Sequence, residues 1–410
     1  MKELLLVLLI LSLFINHLNA NEKDLNIIQK DKKEYRLLEK ESIQTRQQSQ
    51  KYDWISPIDL SGNIGRNHSF SDENSRNLNN KNTKSASIGF TQSIFESGGI
   101  GFKMDYADNR FKYEMLSWEN QNSQLIYTIY NTLLDIKKLK LEINQNDYRI
   151  VNKDIELIIK KIQYEAGKTD IIELNNAIMS KNLIQKEEIA LKNSLKEKEQ
   201  ELAKYTDLKY DEIEILDFQE TNKDIFLDKN YSILEADAKV EMLNSEYKIK
   251  KSQYLPKLSL SAKASYSTQD EKFNSMINDT NKDDATSSGS LILSMPLYDY
   301  TKSSKIQESK IEVLKQKALV NDLKNETAFE YEQIFTKIDT YLKQNETINK
   351  NIKLYEELIG ANQISSEAGM TSKYDLEILE NTKTINEFDI LINKINILQQ
   401  YAKLYFKIKN

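Results

Sequence analysis

The sequence contains no cysteine among its 410 residues. This absence excludes disulfides, thiol nucleophiles, zinc ribbons and iron–sulfur clusters, and also lipid attachment through an N-terminal cysteine. Only two histidines are present, and one of them, His17, lies in the extreme N-terminus. A histidine-based catalytic triad or a multi-histidine metal site is therefore not expected. We predict a protein that is not an enzyme and that has no catalytic, cofactor-binding or metal-binding residues.

An excess of charge of one sign is also missing. The 57 lysines and arginines against 63 aspartates and glutamates give a net charge of −6, without a basic block, so we expect no nucleic-acid partner. A charged fraction of 29% and a mean hydropathy of −0.62 exclude a multi-pass α-helical membrane protein. With only 3 prolines and 10 glycines, the composition favours an elongated architecture.

The N-terminus carries the one long apolar run. Residues Leu4–Ile15 are apolar apart from Ser12, and a polar stretch follows that ends at Ala20. A run of twelve residues is too short for a resident transmembrane helix, but it matches the core of a secretory signal peptide. We therefore predict a signal peptide over residues 1–20 and export of the remaining chain.

Two stretches almost free of proline and glycine predict very long helices. They cover residues 102–166 and 302–368, and only Gly360 interrupts the second. In the first stretch, apolar residues follow the helical spacing in two stripes, Tyr148/Val151/Ile155/Ile158/Ile162 and Ile126/Ile129/Leu133/Ile136/Ile143. About 65 residues at roughly 1.5 Å each give a helix of roughly 100 Å, which suits a helical tube better than a globular domain.

Short segments with a period of two lie beside the prolines. After Pro256, the apolar residues Leu258, Leu260 and Tyr266 alternate with lysines and serines. This pattern predicts strands with one apolar and one polar face, arranged as two hairpins over about 57–68 with 85–95 and about 257–268 with 288–297. Such strands match the wall of a transmembrane β-barrel.

The chain also repeats itself. Pro57 and Pro256 each open a first strand, and the segments Ser93–Glu96 and Pro296–Asp299 each close a second one. Glu165-Ala166-Gly167 recurs as Glu367-Ala368-Gly369. We therefore predict two repeats, residues 21–204 and 231–410, joined by an equatorial connector at 205–230. Their long helices are predicted at about 100–166 and 170–204, and at about 300–368 and 372–409.

These parts, in this order, resemble the TolC-like outer-membrane efflux protein family over nearly the whole mature chain. Tyr254–Leu260 looks like the family's proline-led first strand, and Pro296–Asp299 and Ile94–Gly99 look like its exit from the second strand. Tyr164–Gly167 and Glu367–Gly369 look like its hairpin tips.

The resemblance implies a mainly α fold with a small β part. Long α-helical hairpins would form a trimeric α-barrel, and four strands per chain would contribute to a 12-stranded transmembrane β-barrel. It implies a homotrimer in the outer-membrane lipid, with the helical tunnel projecting into the periplasm towards a periplasmic adaptor and an inner-membrane pump. The implied function is an exit duct for tripartite efflux or type I secretion that conducts substrates passively.

Candidate site residues fall into three groups. The candidates for the barrel lumen are Lys257, Ser259, Ser261 and Lys263, and those for the membrane interface are Trp54, Phe95 and Tyr298. The candidates for a periplasmic gate at the tips are Gly167, Lys168, Asp170, Glu173, Gly369, Lys373 and Asp375.

Each group has a purely structural alternative. The lysines would also suit a solvated polar face, and Trp54 would suit simple packing. Asp170–Glu173 and Ser372–Asp375 have the form of a capping box, which explains their acids without a gate. In the family, an arginine stands two residues after the tip glycine of the second repeat, where this chain has Thr371.

Two other functions remain as alternatives. An exported structural or adhesive coiled-coil protein without a pore would need sustained heptads and no lipid-facing hairpins. A secreted hydrolase would need paired carboxylates in a compact cleft, and no globular region is predicted to form one.

Overall fold

The computed structural model describes residues 25–69, 79–216, 218–270, 282–367 and 372–409. The predicted signal peptide lies outside the described residues. Helices dominate, and four strands form a small sheet. A short 3-10 turn, Leu25–Ile27, precedes α1 (Lys30–Tyr52), β1 (Asp59–Ser69), β2 (Asn79–Phe95), α2 (Gly99–Glu165) and α3 (Ile171–Leu202). The second half contains α4 (Lys223–Asp228), α5 (Tyr231–Ser252), β3 (Lys257–Asp270), β4 (Lys282–Ser294), α6 (Lys302–Glu367) and α7 (Lys373–Lys407).

The fold class predicted from the sequence is confirmed as mainly α with a small antiparallel sheet of four strands. The helices α2 and α6 contain 67 and 66 residues. Among the described residues, no helix has both the length and the apolar character that crossing a bilayer requires.

The chain divides into two compact units. The helical unit comprises the described parts of 1–40, 116–235 and 321–410, and the sheet unit comprises residues 41–115 and 236–320 with their gaps. In the helical unit the core lies around Phe226, Ile334, Ile338, Leu404 and Ile408, which are all buried. Of the two stripes on α2, Ile126, Ile129, Leu133 and Ile136 of the first are buried and Ile143 is half-buried, whereas only Ile155 of the second is buried in the single chain.

Polar contacts fix how the long helices lie against each other in the helical unit. Between α2 and α3, Lys181 lies 2.6 Å from the carboxylate of Asp154. Between α2 and α7, the side-chain amide of Gln145 donates to Asp389 at 2.6 Å, and between α6 and α7 that of Asn393 donates to Asn345 at 2.8 Å. Because the buried amides of Gln145 and Asn393 need partners, their bonds favour one axial register of α2 with α7 and of α6 with α7.

The sheet is antiparallel with the order β1-β2-β3-β4. β2 and β4 both begin six residues before the positions predicted from hydrophobic alternation, at Asn79 and Lys282. The added residues are mostly polar on both faces, so alternation carries no signal there, whereas the backbone ladder continues. β4 ends at Ser294, two residues before Pro296, because proline has no N–H to donate to a ladder.

Candidate pore-forming sheet and helix tips

The four lumen candidates lie on one face of the sheet. Lys257, Ser259, Ser261 and Lys263 occupy alternate positions of β3, and alternate residues of a strand share a face. Hydroxyl groups of neighbouring strands meet on this polar face: Thr91 with Ser261 at 3.0 Å, Ser93 with Ser259 at 3.2 Å, Ser61 with Ser87 at 2.9 Å and Ser265 with Thr286 at 2.7 Å. The sheet therefore presents a hydroxyl-rich surface that also carries two lysines.

The opposite face is apolar. It carries Leu60, Ile64, Ile88, Phe90, Leu260, Tyr266, Leu291 and Leu293 at positions that the register places in cross-strand rows. Leu60 is 79% exposed and Leu293 is 72% exposed in the single chain. A contiguous apolar face of this kind is typical of a surface that contacts protein or lipid, and the described part of the chain leaves it exposed.

The outer edges of the sheet belong to β1 and β4. Each of these strands pairs with one neighbour only within the described chain. A row of unpaired N–H and C=O groups along an edge is not tolerated in lipid, where no water satisfies them. In lipid, each of these edges would need a further strand beside it.

The three interface candidates lie where the strands meet the helices. Phe95 is half exposed at the end of β2, and Tyr298 is almost fully exposed between β4 and α6. The backbone of Trp54 is held by Gln92, whose side-chain amide donates to the Trp54 carbonyl at 2.9 Å. The indole nitrogen of Trp54 is buried and has no hydrogen-bond partner among the described residues.

The passage from β2 to α2 contains an ion pair with a buried carboxylate and a partly exposed lysine, which the sequence did not predict. Glu96, the first residue after β2, is buried, and its carboxylate lies 2.9 Å from the ammonium of Lys103. Burial raises the pKa of Glu96, but the hydrogen bond and the charge of Lys103 lower it more, so the net pKa lies below the usual value. In the sequence, the only indication of this pair was an acidic residue at the end of a predicted strand, shortly before Gly98 and Gly99.

Two residues with positive φ make this passage tight. Ser97 has φ of 50° and Gly98 has φ of 88°. The hydroxyl of Ser97 donates to the carbonyl of Pro256 at 2.7 Å, which ties the passage to the start of β3. A Cβ at Gly99 would lie 2.9 Å from the Ser252 hydroxyl and 3.0 Å from Cβ of Glu96, so any other residue would force these side chains to shift.

At the first helix tip, Gly167 ends α2 in the left-handed conformation with φ of 66°. The N–H of Gly167 bonds to the carbonyl of Tyr164, and that of Lys168 bonds to the carbonyl of Gln163. These two bonds define a Schellman motif, which leaves the Lys168 side chain exposed.

The turn then enters α3 through Asp170, whose carboxylate accepts from the Glu173 N–H at 2.9 Å. Half of the capping-box interpretation is thus observed. The side chain of Glu173 instead lies 3.1 Å from the ammonium of Lys160 on α2, in an exposed pair that joins the two helices of the hairpin.

At the second tip, Ser372 caps α7 by accepting from the Tyr374 N–H at 3.2 Å. Lys373 and Asp375 are exposed in the first turn of α7. Gly369 and Thr371 lie outside the described residues, so the structure brings together the gate candidates of the first tip only.

The connector is anchored in the helical unit by two buried aromatic residues, Phe218 and Phe226. Phe218 packs against the rings of Tyr130 and Phe406 with centroids 5.7 and 5.5 Å apart. After α4, Asn230 forms an isolated antiparallel bridge with Ile408, next to a bond from the Lys409 N–H to the Lys229 carbonyl. These contacts attach the connector to the C-terminal end of α7.

A second ion cluster lies beside this attachment. The carboxylate of Glu330 on α6 lies 2.8 Å from Lys403 and 2.5 Å from Lys407 on α7. Burial raises the pKa of Glu330, but the hydrogen bonds and charges of both lysines lower it more, so the net pKa lies below the usual value. Among the described residues, no group of three or more His, Asp or Glu side chains could hold a metal ion.

The structure thus combines a sheet that has one apolar and one hydroxyl-rich face with long helical hairpins. Residues 224–403 match the sequence model of the family described as outer membrane efflux protein. The predicted resemblance to the TolC-like outer-membrane efflux protein family is confirmed over these residues, which make up less than half of the chain, and it indicates an efflux-type channel of the outer membrane. No curated protein matches the sequence.

Solved structures share the fold over nearly the whole chain. The outer membrane protein VceC from Vibrio cholerae superposes with a TM-score of 0.72 at 12% identity, covering 94% of this chain and 93% of its own. The Campylobacter jejuni CmeC outer membrane channel gives 0.70 at 12% identity, covering 93% and 86%. The open state of the Neisseria gonorrhoeae MtrE channel gives 0.67 at 11% identity, covering 94% and 88%.

Proposed function

We propose that three copies of this chain form an exit duct that conducts substrates passively across the outer membrane. In this assembly four strands from each copy close a 12-stranded β-barrel in outer-membrane lipid, and the helical hairpins form a trimeric α-barrel in the periplasm. The duct serves a tripartite efflux or type I secretion system, in which a periplasmic adaptor connects it to an inner-membrane pump.

The main support for this proposal is that the four-stranded sheet has two unpaired edges within the described chain. Its apolar face is exposed, its polar face is lined by hydroxyls, and both of its edges lack a neighbouring strand within the described chain. Four strands cannot close a membrane barrel, since the smallest known barrels have about eight. Closure by several copies removes the edges, places the apolar face in lipid and places the polar face around a water-filled lumen.

The repeats supply the parts of this duct. Residues 21–204 and 231–410 each contribute a hairpin of strands and a hairpin of helices, and the connector at 205–230 surrounds the helical part. Lys257, Ser259, Ser261 and Lys263 line the barrel lumen, whereas Trp54, Phe95 and Tyr298 lie at the membrane interface, where aromatic side chains are enriched.

The helix tips form the periplasmic mouth. Gly167 and Gly369 end the long helices there, and Lys168, Asp170, Glu173, Lys373 and Asp375 supply its charges. Carboxylates repeated around a narrow threefold mouth would concentrate cations and repel anions. A partner that binds the open form more tightly than the closed form would shift the mouth towards opening.

The absence of cysteine makes a direct test simple. Ser261→Cys places a thiol on the polar face, and its neighbour Leu260→Cys places one on the apolar face. In planar bilayers, we expect a charged, water-soluble thiol reagent to reduce the conductance of the Ser261 variant and to leave that of the Leu260 variant unchanged. The purified protein should be a trimer in detergent.

Two results would contradict the proposal. The first is a monomer that stays soluble without detergent, and the second is equal labelling of both variants without any conductance. Either result would favour an exported coiled-coil protein without a pore.

A further inference from the structure

The open edges of β1 and β4 can be paired residue by residue, because the two hairpins are copies of each other. In the first hairpin, Leu60 faces Ile88, Ser61 faces Ser87 and Gly62 faces Ala86. In the second, Leu260 faces Leu291, Ser261 faces Ser290 and Ala262 faces Gly289. The side-chain types match in all three consecutive rows, so Leu60 corresponds to Leu260 and Ile88 corresponds to Leu291.

Because the hairpins correspond, the observed pairing of β2 with β3 is a template for the pairing of β4 with β1 of another copy. The seam between the hairpins, β2 against β3, pairs Thr91 with Ser261, Phe90 with Ala262 and Phe95 with Leu258. The residues of β4 that correspond to Thr91, Phe90 and Phe95 are Ser294, Leu293 and Tyr298. The residues of β1 that correspond to Ser261, Ala262 and Leu258 are Ser61, Gly62 and Ile58.

We propose that β4 of one copy pairs antiparallel with β1 of the next copy in the register that places Ser294 opposite Ser61, Leu293 opposite Gly62 and Leu291 opposite Ile64. This inference rests on the proposed function, because it specifies the partner of each free edge as a second copy and fixes how the two strands align. The same register brings Tyr298 next to Ile58.

The chemistry of the template is preserved in three of these pairs, whereas Leu291 opposite Ile64 joins two large apolar residues where the template has Ile88 opposite Ala264. Thr91 and Ser261 form a hydroxyl contact of 3.0 Å, and Ser294 with Ser61 is again a pair of hydroxyls on the polar face. Phe90 opposite Ala262 joins a large and a small residue, as Leu293 opposite Gly62 does. Phe95 with Leu258 joins an aromatic and an aliphatic side chain, as Tyr298 with Ile58 does.

Exposure in the single chain agrees with this assignment. Ile58, Leu293 and Tyr298 are 69%, 72% and 86% exposed, although each corresponds to a residue that has a cross-strand partner in the template. A second copy in this register would cover all of them at once.

Competing registers are distinguishable. A shift by one residue places Ser294 opposite Leu60 or Gly62, which mixes the polar and apolar faces. A shift by two residues keeps the faces but places Ser294 opposite Asp59 or Asn63 and loses the hydroxyl pair. Side chains two residues out of register lie roughly 7–8 Å apart, too far for a disulfide, whereas directly opposite side chains are close enough.

Disulfide trapping in the full-length, otherwise cysteine-free protein tests the register. The variant Ser61→Cys with Ser294→Cys should give covalently linked dimers and trimers on a non-reducing gel after mild oxidation of purified membranes. The matched controls, Asn63→Cys with Ser294→Cys and Ser61→Cys with Ile292→Cys, report the two shifted registers and should give at least fivefold less product. The variant Thr91→Cys with Ser261→Cys tests the template seam. It should lose its free thiols but still migrate as a monomer on the gel, because both cysteines lie in the same chain.

The outcomes separate this inference from the function on which it rests. The proposed register is wrong if a shifted control gives the stronger product or if only the template pair reacts. If bilayer conductance persists in that case, the proposed function as an exit duct still stands. If no pair links two chains and no conductance is found, both proposals fail.

Discussion

The carboxylate of Glu96 lies 2.9 Å from the ammonium of Lys103, across the point at which β2 passes into α2. The Glu96 side chain is nearly buried and that of Lys103 is about one-third exposed. A charge-assisted hydrogen bond at a buried site contributes more than a surface pair, because removal of one partner leaves the other desolvated and unpaired. The pair therefore stabilises the passage from sheet to helix.

We expect Glu96→Gln to lower the free energy of unfolding by about 1–2 kcal/mol, since Lys103 loses its partner. Thermal unfolding in detergent measures the change. In a double-mutant cycle, Lys103→Met should cost much less in the Glu96→Gln background than in the wild type. Additive costs would contradict a direct interaction.

The pair of Glu330 with Lys403 and Lys407 predicts a dependence of stability on pH. Because the pKa of folded Glu330 is lowered, its contribution is present above the usual pKa of glutamate and is lost as the pH falls through the lowered value. Glu330→Gln should cost about 1 kcal/mol at neutral pH and nothing in strong acid.

A neighbouring pair provides the control for this pH effect. Glu332 lies 2.7 Å from Lys223, but both side chains are well exposed. Glu332→Gln should change stability by less than about 0.5 kcal/mol, measured by unfolding at several pH values. A cost for Glu330→Gln that does not change with pH would argue against the charge interaction.

Two glycines of the sheet should respond in opposite ways to alanine. A Cβ at Gly89 would lie 3.0 Å from the carbonyl oxygen of Ala262 and 3.3 Å from Cα of Lys263, whereas nothing lies within 4 Å of a Cβ at Gly289. Gly89→Ala should therefore destabilise the sheet by about 1–3 kcal/mol through strain between β2 and β3. Gly289→Ala should stabilise it by about 0.5 kcal/mol. Unfolding in detergent compares the two, and equal effects would refute the close approach.

The tip glycine can be compared with a glycine inside a helix. Gly167→Ala forces a Cβ into a left-handed conformation and should cost about 1 kcal/mol. Gly360→Ala, within α6, meets nothing within 4 Å and should stabilise the helix by up to about 1 kcal/mol. Thermal unfolding of both variants measures this contrast. A gain in stability for Gly167→Ala would be incompatible with the Schellman turn.

The connector supplies a further matched pair. Phe226 is fully buried against α6 and α7, whereas its neighbour Ile225 is about half exposed. Phe226→Ala should cost about 3–5 kcal/mol and increase cleavage of residues 205–230 by a protease in native conditions. Ile225→Ala should change both readouts little. Equal sensitivity of the two variants to the protease would show that Phe226 is not the anchor.

The predictable parts of the fold were those with a strong periodic signal. The long helices required only apolar spacing and the absence of proline and glycine. The strand faces required only alternation, which placed Lys257 and Ser259 on the polar side with Ser261 and Lys263. The polar first halves of β2 and β4 gave no such signal, because there both faces of the strand are hydrophilic.

At the helix tips, local sequence patterns predicted the helix ends but not the side-chain contacts between helices. The end of α2 at Gly167 and the cap at Asp170 were predictable, because both depend on neighbouring backbone. The pairing of Glu173 with Lys160 was not, because it depends on how α3 returns along α2. The Glu96–Lys103 pair and the Glu330 cluster escaped sequence reasoning for a similar reason, since a charged residue has no periodic signature.

The sequence by itself determined the class of elements, their order and their duplication, since these follow from local periodicity and from landmarks that recur along the chain. Tertiary structure alone decided the register of the strands, the partners of the charged groups and the anchoring of the connector by Phe218 and Phe226. These features depend on the distances between segments remote in sequence. Such distances are set by packing and by the backbone ladder, which no local pattern encodes.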